Sequence, residues 1–151
     1  MDDKSESSQP QYRQIDTGRL KHLEMLQNVI TRMASNSFLV KGWSITLLSA
    51  VLVLTVGGKA SIVGPISLIP VVTFWLLDAF FLRQERLFRK LYDRYRREPL
   101  DRPTDFSMDT SVIADRVGTW SRVMVSTTLL IFYGSLLVLI GTVLFVSWCN
   151  K

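Results

Sequence analysis

The chain has 151 residues, 48% of them hydrophobic, with a formal net charge of +5 and a single cysteine. Length alone permits one ordinary soluble domain, but the mean hydropathy is +0.22 and residues 42–58, 60–77 and 123–150 carry no charge at all. A bilayer core of roughly 30 Å takes about 20 mostly apolar helical residues, so a soluble enzyme with one buried core is excluded and an all-α membrane protein with three transmembrane helices is predicted.

Residues 1–15 are polar and interrupted by Pro10, and they read as a disordered cytoplasmic tail. Asp16 or Thr17 is placed to cap a helix, predicted over 16–36 as an amphipathic cytoplasmic or interfacial element. In it Leu20, Leu23, Leu26, Ile30 and Met33 recur at helical spacing, while Arg19, Lys21, Glu24 and Arg32 lie mostly elsewhere around it. His22 on this helix is expected to be exposed or partly packed. Nothing in residues 1–36 has the make-up of a cleavable signal, so the first apolar span is expected to act as its own insertion signal.

A transmembrane hairpin is predicted over 37–82, with spans at about 38–56 and 62–82 joined by Gly57-Gly58-Lys59-Ala60-Ser61. Pro65 and Pro70 in the second span predict a kink. Asp78 is the only acid within a span. Lys41 and Asp78 are equally far from the middle of the turn, so on antiparallel helices they fall at the same depth near one interface. A carboxylate in a bilayer is costly and is usually paired. The pair reads as a staple for the hairpin; the alternatives are that Asp78 turns toward Arg83 or serves an ion path.

Beyond span two a basic cytoplasmic helix and loop are predicted over 83–109, the helix stopping before Pro99. Residues 83–102 hold eight Lys/Arg against four Asp/Glu. Leu87, Leu91 and Tyr95 make one apolar line, and Arg86, Arg89, Lys90, Arg94 and Arg97 occupy much of the remaining surface. Arginines interleaved with aromatics can neutralise phosphates and stack bases; the same pattern suits a helix lying on anionic headgroups. Arg83, Arg86, Arg89, Lys90, Arg94 and Arg97 are therefore candidate phosphate or oligonucleotide ligands, with Arg116 and Arg122 as further members. The last two sit on an amphipathic interfacial helix predicted over 110–125, whose apolar face is Ile113, Val117, Trp120 and Met124.

The third span, 126–148, carries a sevenfold pattern. Thr128, Ser135 and Thr142 recur every seven residues, and Thr127, Gly134 and Gly141 do so beside them. Such spacing keeps a position on one helix face. A strip of small residues serves either packing against spans one and two or self-association around an axis, with hydroxyls lining an aqueous path. Residues 149–151 form the outer C-terminus, where Cys149 reads as a free thiol or an intersubunit disulfide. Basic residues beside a span stay in the cytoplasm, so the N-terminus and the large loop are expected inside and the C-terminus in the periplasm, the chain being a multi-pass protein of the bacterial inner membrane.

No catalytic motif is present: there is no phosphate-cradling G-x-x-x-x-G-K-[ST], no H-E-x-x-H and no G-x-S-x-G. One histidine and one cysteine supply no metal motif. No enzymatic activity, metal or cofactor is therefore expected.

Three stretches, Asn36-Ser-Phe-Leu-Val-Lys-Gly-Trp43, Phe74-Trp-Leu-Leu-Asp-Ala-Phe-Phe-Leu-Arg-Gln-Glu-Arg-Leu-Phe-Arg-Lys-Leu-Tyr-Asp93 and Asp105-Phe-Ser-Met-Asp-Thr110, resemble a group of small bacterial membrane proteins from anti-phage defence islands. Within it the chain looks like the membrane subunit of Hailong-type systems, over about residues 20–148. The resemblance implies a homo-oligomeric ion-channel effector, with a tetramer as the working stoichiometry. It also implies a nucleotide or short DNA signal made by a nucleotidyltransferase-like partner, and depolarisation of the infected cell. It assigns no site residues. The alternative is a non-conducting membrane anchor that docks a soluble partner on the basic helix.

Overall fold

The computed structural model describes the backbone of residues 9–54, 60–99 and 105–149, and the side-chain surroundings of residues 17–54, 65–99, 105–146, 148 and 149. The expected Gly57-Gly58-Lys59 turn, residues 1–8 of the expected tail and residues 150–151 lie outside the described residues. Among the described residues four α-helices follow one another: α1 (Gln9–Leu54), α2 (Ala60–Arg97), α3 (Trp120–Met124) and α4 (Thr127–Cys149), with a 3₁₀ helix, Ser111–Arg116, between α2 and α3. Among the described residues there is no strand. Helices α1, α2 and α4 are each long and apolar enough to cross a membrane.

Three expected boundaries are corrected. Residues 9–15 begin α1 instead of completing a disordered tail; Pro10 falls in the first turn, where its missing N–H has no partner to lose. The expected interfacial helix and first span are one helix, because the change from polar to apolar residues near 36 brings no backbone breaker with it. Residues 110–125 do not form one amphipathic helix. The 3₁₀ helix ends at Val117, whose backbone is extended (φ −115°, ψ 132°), and α3 starts two residues past Gly118. Pro65 and Pro70 both lie inside α2.

The chain divides into two compact units, one of residues up to Arg32 together with Glu85–Val117, the other of Met33–Gln84 together with Gly118 onward. The core of the first is Leu26, Leu91 and Ile113, flanked by Phe88, Tyr92, Tyr95 and Met108. Arg19 caps the end of α2 here: its Nη2 donates to the carbonyls of Tyr95 (2.5 Å) and Glu98 (2.6 Å). The last carbonyls of a helix lack partners within it and carry partial negative charge, which a guanidinium satisfies on both counts. The segment after it is held by short-range bonds. The Ser107 N–H donates to Asp105 Oδ1 and the Ser111 N–H to Asp109 Oδ1, which keeps the Asp109 carboxyl below its ordinary range.

The core of the second unit is Leu48, Val71, Ala79, Leu129, Tyr133, Leu136 and Ile140. The four α4 residues among them recur at i, i+4, i+7 and i+11, one helical face. Trp75 is stacked on Tyr133 (centroids 5.9 Å apart, planes at 10°) and its Nε1–H donates to the Met124 carbonyl at 3.0 Å. Large apolar side chains point outward all along this unit, among them Trp43, Val53, Ile69, Ile131, Val138 and Phe145. Water would penalise such a surface and lipid does not, as expected for spans in a membrane.

Candidate functional site

Two polar constellations stand out, one in each unit. In the second unit Asp78 is wholly buried (0% exposed). Lys41 Nζ lies 2.5 Å from its Oδ2, so of the alternatives for Asp78 the structure has the partner across the hairpin and not Arg83. The carboxylate receives more than the lysine. Ser37 Oγ donates to Oδ1 at 2.5 Å, and the Tyr133 hydroxyl on α4 reaches Oδ2 (3.3 Å) as well as the Phe74 carbonyl (3.1 Å). Lys41 also donates to Ser37 Oγ (2.9 Å) and lies 5.9 Å from the centre of the Phe132 ring. One buried carboxylate thus ties three helices together.

Lys41 and Asp78 are readable in the sequence by counting from the turn. Ser37 and Tyr133 were missed there, although each left a signal. Ser37 precedes Lys41 by one helical turn and shares its face, and a tyrosine in an uncharged span must find a partner for its hydroxyl if buried. Tyr133→Phe is expected to destabilise the second unit by about 0.6–1.7 kcal/mol, the range for hydrogen bonds between helices in lipid, measured as a shift in the detergent-denaturation midpoint. No change would mean that the tyrosine bond contributes nothing to holding α4.

The candidate residues of span three lie on the other side of α4. Thr127, Thr128, Ser135, Gly141 and Thr142 are exposed and Gly134 is half-buried, while the packed face is Leu129, Tyr133, Leu136 and Ile140. The strip therefore does not pack against spans one and two, and that reading is corrected. A Cβ built at Gly134 or Gly141 meets nothing within 4 Å. Ser135 and Thr142 donate their hydroxyls to the carbonyls of Phe132 (2.7 Å) and Val138 (2.9 Å), leaving each oxygen's lone pairs facing outward.

In the first unit the basic candidates separate. Lys90, Arg94, Arg97 and Arg116 line one cleft of about 360 Å³ together with Asp93, Glu98 and Pro99. Positions 90, 94 and 97 share a helix face, and Arg116 comes from the 3₁₀ helix. Arg94 is paired with Glu98 at 3.6 Å; Lys90, Arg97 and Arg116 have no ion pair among the described residues. Arg89 is engaged by Glu85 at 2.6 Å, and Arg86 is half-buried outside the cleft wall. Arg83 and Arg122 belong to the second unit. Arg122 folds its side chain back so that its Cδ would stand 2.9 Å from a Cβ at Gly118, and Arg83 Nε is buried with no hydrogen-bond partner among the described residues. The eight basic candidates thus reduce to four at one cleft, where four cations face two acids.

His22 departs from expectation: it is buried, not exposed or partly packed. Cys149 is an exposed free thiol. Among the described residues no group of histidine, cysteine and acidic side chains is arranged to hold a metal. Comparison with known protein families, with characterised proteins and with solved structures finds no match for this chain.

Proposed function

We propose that this chain is one subunit of a homo-oligomeric ion channel in the bacterial inner membrane, the effector of an anti-phage defence system. In this reading a phosphate-bearing nucleotide or short oligonucleotide, made by a partner enzyme, gates it from the cytoplasm and the resulting flux depolarises the cell. The observation that carries the proposal is the outward strip on α4. Glycines with open space beside them and hydroxyls facing away from the chain's own core suit a helix that meets copies of itself around a wetted axis. The basic cleft supports the receptor half of the reading, since the positive charge of residues 83–102 favours a cytoplasmic place for it. A ligand there shifts the channel only if it binds open and closed states unequally.

The test is ion flux from liposomes containing purified protein. Wild type is expected to conduct, and Gly141→Leu to block conduction while leaving the denaturation midpoint unchanged, because Gly141 is exposed and a Cβ there meets nothing within 4 Å in its own subunit. If wild type conducts no ion with or without short oligonucleotides, the channel reading fails and the anchor reading takes its place.

A further inference from the structure

His22 sits on α1 in the first unit with 0% of its surface exposed, and neither ring nitrogen has a hydrogen-bond partner. Its neighbours are aromatic edges: Tyr95 of α2 at 4.5 Å between centroids and Phe106 of the 105–110 segment at 5.6 Å, both T-shaped. The segment is fastened at the same place by the Tyr95 hydroxyl, which donates to the Ser107 carbonyl at 3.3 Å. Unpartnered polar atoms in a packed interior are rare in folded proteins and ask for an explanation.

We propose that His22 is a proton-operated lock, holding the 105–110 segment against α1 and α2 while its ring is neutral and releasing it on taking up a proton. A neutral imidazole can serve as an aromatic filler between Tyr95 and Phe106. The protonated ring has two N–H donors and a charge, and where it lies there is no acceptor among the described residues and no water-facing surface. It gains solvation only by leaving the cluster, and Phe106, already 53% exposed, is the neighbour free to move with it.

The charges that act on the ring are Asp105 on the segment and Glu98 just past α2, and Tyr95 of α2 touches it. Arg94 and Asp109 act on Tyr95, and Arg19 of α1 is engaged by the Tyr95 and Glu98 carbonyls. Asp105 and Glu98 favour the protonated ring, but burial outweighs them and holds the pKa below its ordinary 6.5. The released form, with the ring in water, therefore binds the proton more tightly. Well above pH 6.5 neither form is protonated and the lock has its full strength. As the pH falls from there toward the lowered value, release becomes progressively favoured, and below that value the gain levels off. Each unit separating the two pKa values multiplies the released fraction by about ten. Tyr95 shares the last turn of α2 with Arg94 and Arg97, and Glu98 follows it directly, so release reaches the wall of the basic cleft.

The chain has a single histidine, which makes the test specific. In full-length protein in lipid nanodiscs, ¹⁵N-histidine NMR follows one ring while hydrogen exchange follows the amides of residues 105–117. Between about pH 7.5 and about pH 5.5, a window a histidine spans, exchange corrected for its intrinsic rate is expected to rise several-fold in step with the ring titration. His22→Phe keeps the aromatic filler and is expected to abolish the response. Asp105→Asn, on the exposed side, keeps an oxygen for the Ser107 N–H and is expected to move the midpoint to lower pH. An acid response that survives in His22→Phe, a ring that titrates at its ordinary value with no change in exchange, or a midpoint unmoved by Asp105→Asn each overturns the lock. The Asp105 variant decides alone if His22→Phe does not fold.

Discussion

Lys41→Met is expected to destabilise the second unit by about 3–5 kcal/mol, the cost of breaking a buried ion pair from one side, and to do more damage than Asp78→Asn. The asymmetry follows from burial. Removing the lysine strands a carboxylate that has no exposed surface, with only two hydroxyls left to hold it. Removing the carboxylate's charge strands a lysine whose side chain is 21% exposed and whose flexible stem can carry the ammonium toward the interface. Asparagine keeps one oxygen to accept from Ser37, and its NH2 can donate to the Tyr133 hydroxyl, which still donates to the Phe74 carbonyl, so the loss is that of the charged contact, about 1.5–3 kcal/mol. The double variant Lys41→Asp/Asp78→Lys recovers part of the loss: the hydroxyls of Ser37 and Tyr133 can turn from donors to acceptors, but the longer side chain must fit where the shorter one was. Denaturation in mixed micelles or bicelles measures all three. Equal losses in the two single variants would show that the pair is not buried as described.

How far such features can be read from the sequence depends on whether the determining contacts are local. Lys41 and Asp78 are legible because hairpin geometry turns distance from a turn into depth, a matter of counting. The helix at 83–97 is legible because its apolar line, its arginines and Pro99 are all local. Tyr133 is not, since its partner lies 55 residues away on another helix and only the packing of α4 decides which side of it faces inward. Sevenfold spacing marks Ser135 and Thr142, and beside them Gly134 and Gly141, as one strip; Leu129, Tyr133, Leu136 and Ile140 share a face by the same arithmetic, and both faces look equally fit for a helix partner. His22 is missed for a related reason. On α1 alone it borders charged residues, and only the return of Phe106 from 84 positions later closes over it. Gly118 did carry a usable signal, as a residue of low helix propensity inside the stretch 110–125. The apolar repeat at 113, 117, 120 and 124 runs across it, yet Ile113 and Val117 bury themselves in one unit while the chain enters the other at Gly118.

Arg97→Ala/Arg116→Ala is expected to weaken binding of a short phosphate-bearing oligomer by at least about 100-fold at low salt. Arg97 and Arg116 approach the cleft from different elements and are free of ion pairs among the described residues, so neither has to give up a partner to meet a phosphate. Each charge-assisted contact contributes about 1.5 kcal/mol or more, and two of them amount to about two orders of magnitude in affinity. Losing two phosphate contacts also lowers the slope of log affinity against log salt by about two. Arg94→Ala is expected to cost less, because its guanidinium already has Glu98 at 3.6 Å and its removal leaves that acid to repel the ligand only weakly across a solvated cleft. Arg32→Ala serves as control, being an exposed cation of the same unit outside the cleft wall. Fluorescence anisotropy with a labelled trinucleotide separates the cases, and vesicles of anionic lipid run in parallel separate a soluble phosphate ligand from a headgroup. Equal losses from Arg32→Ala and Arg97→Ala would mean that binding follows net charge alone, and the cleft would then have no claim to be a receptor.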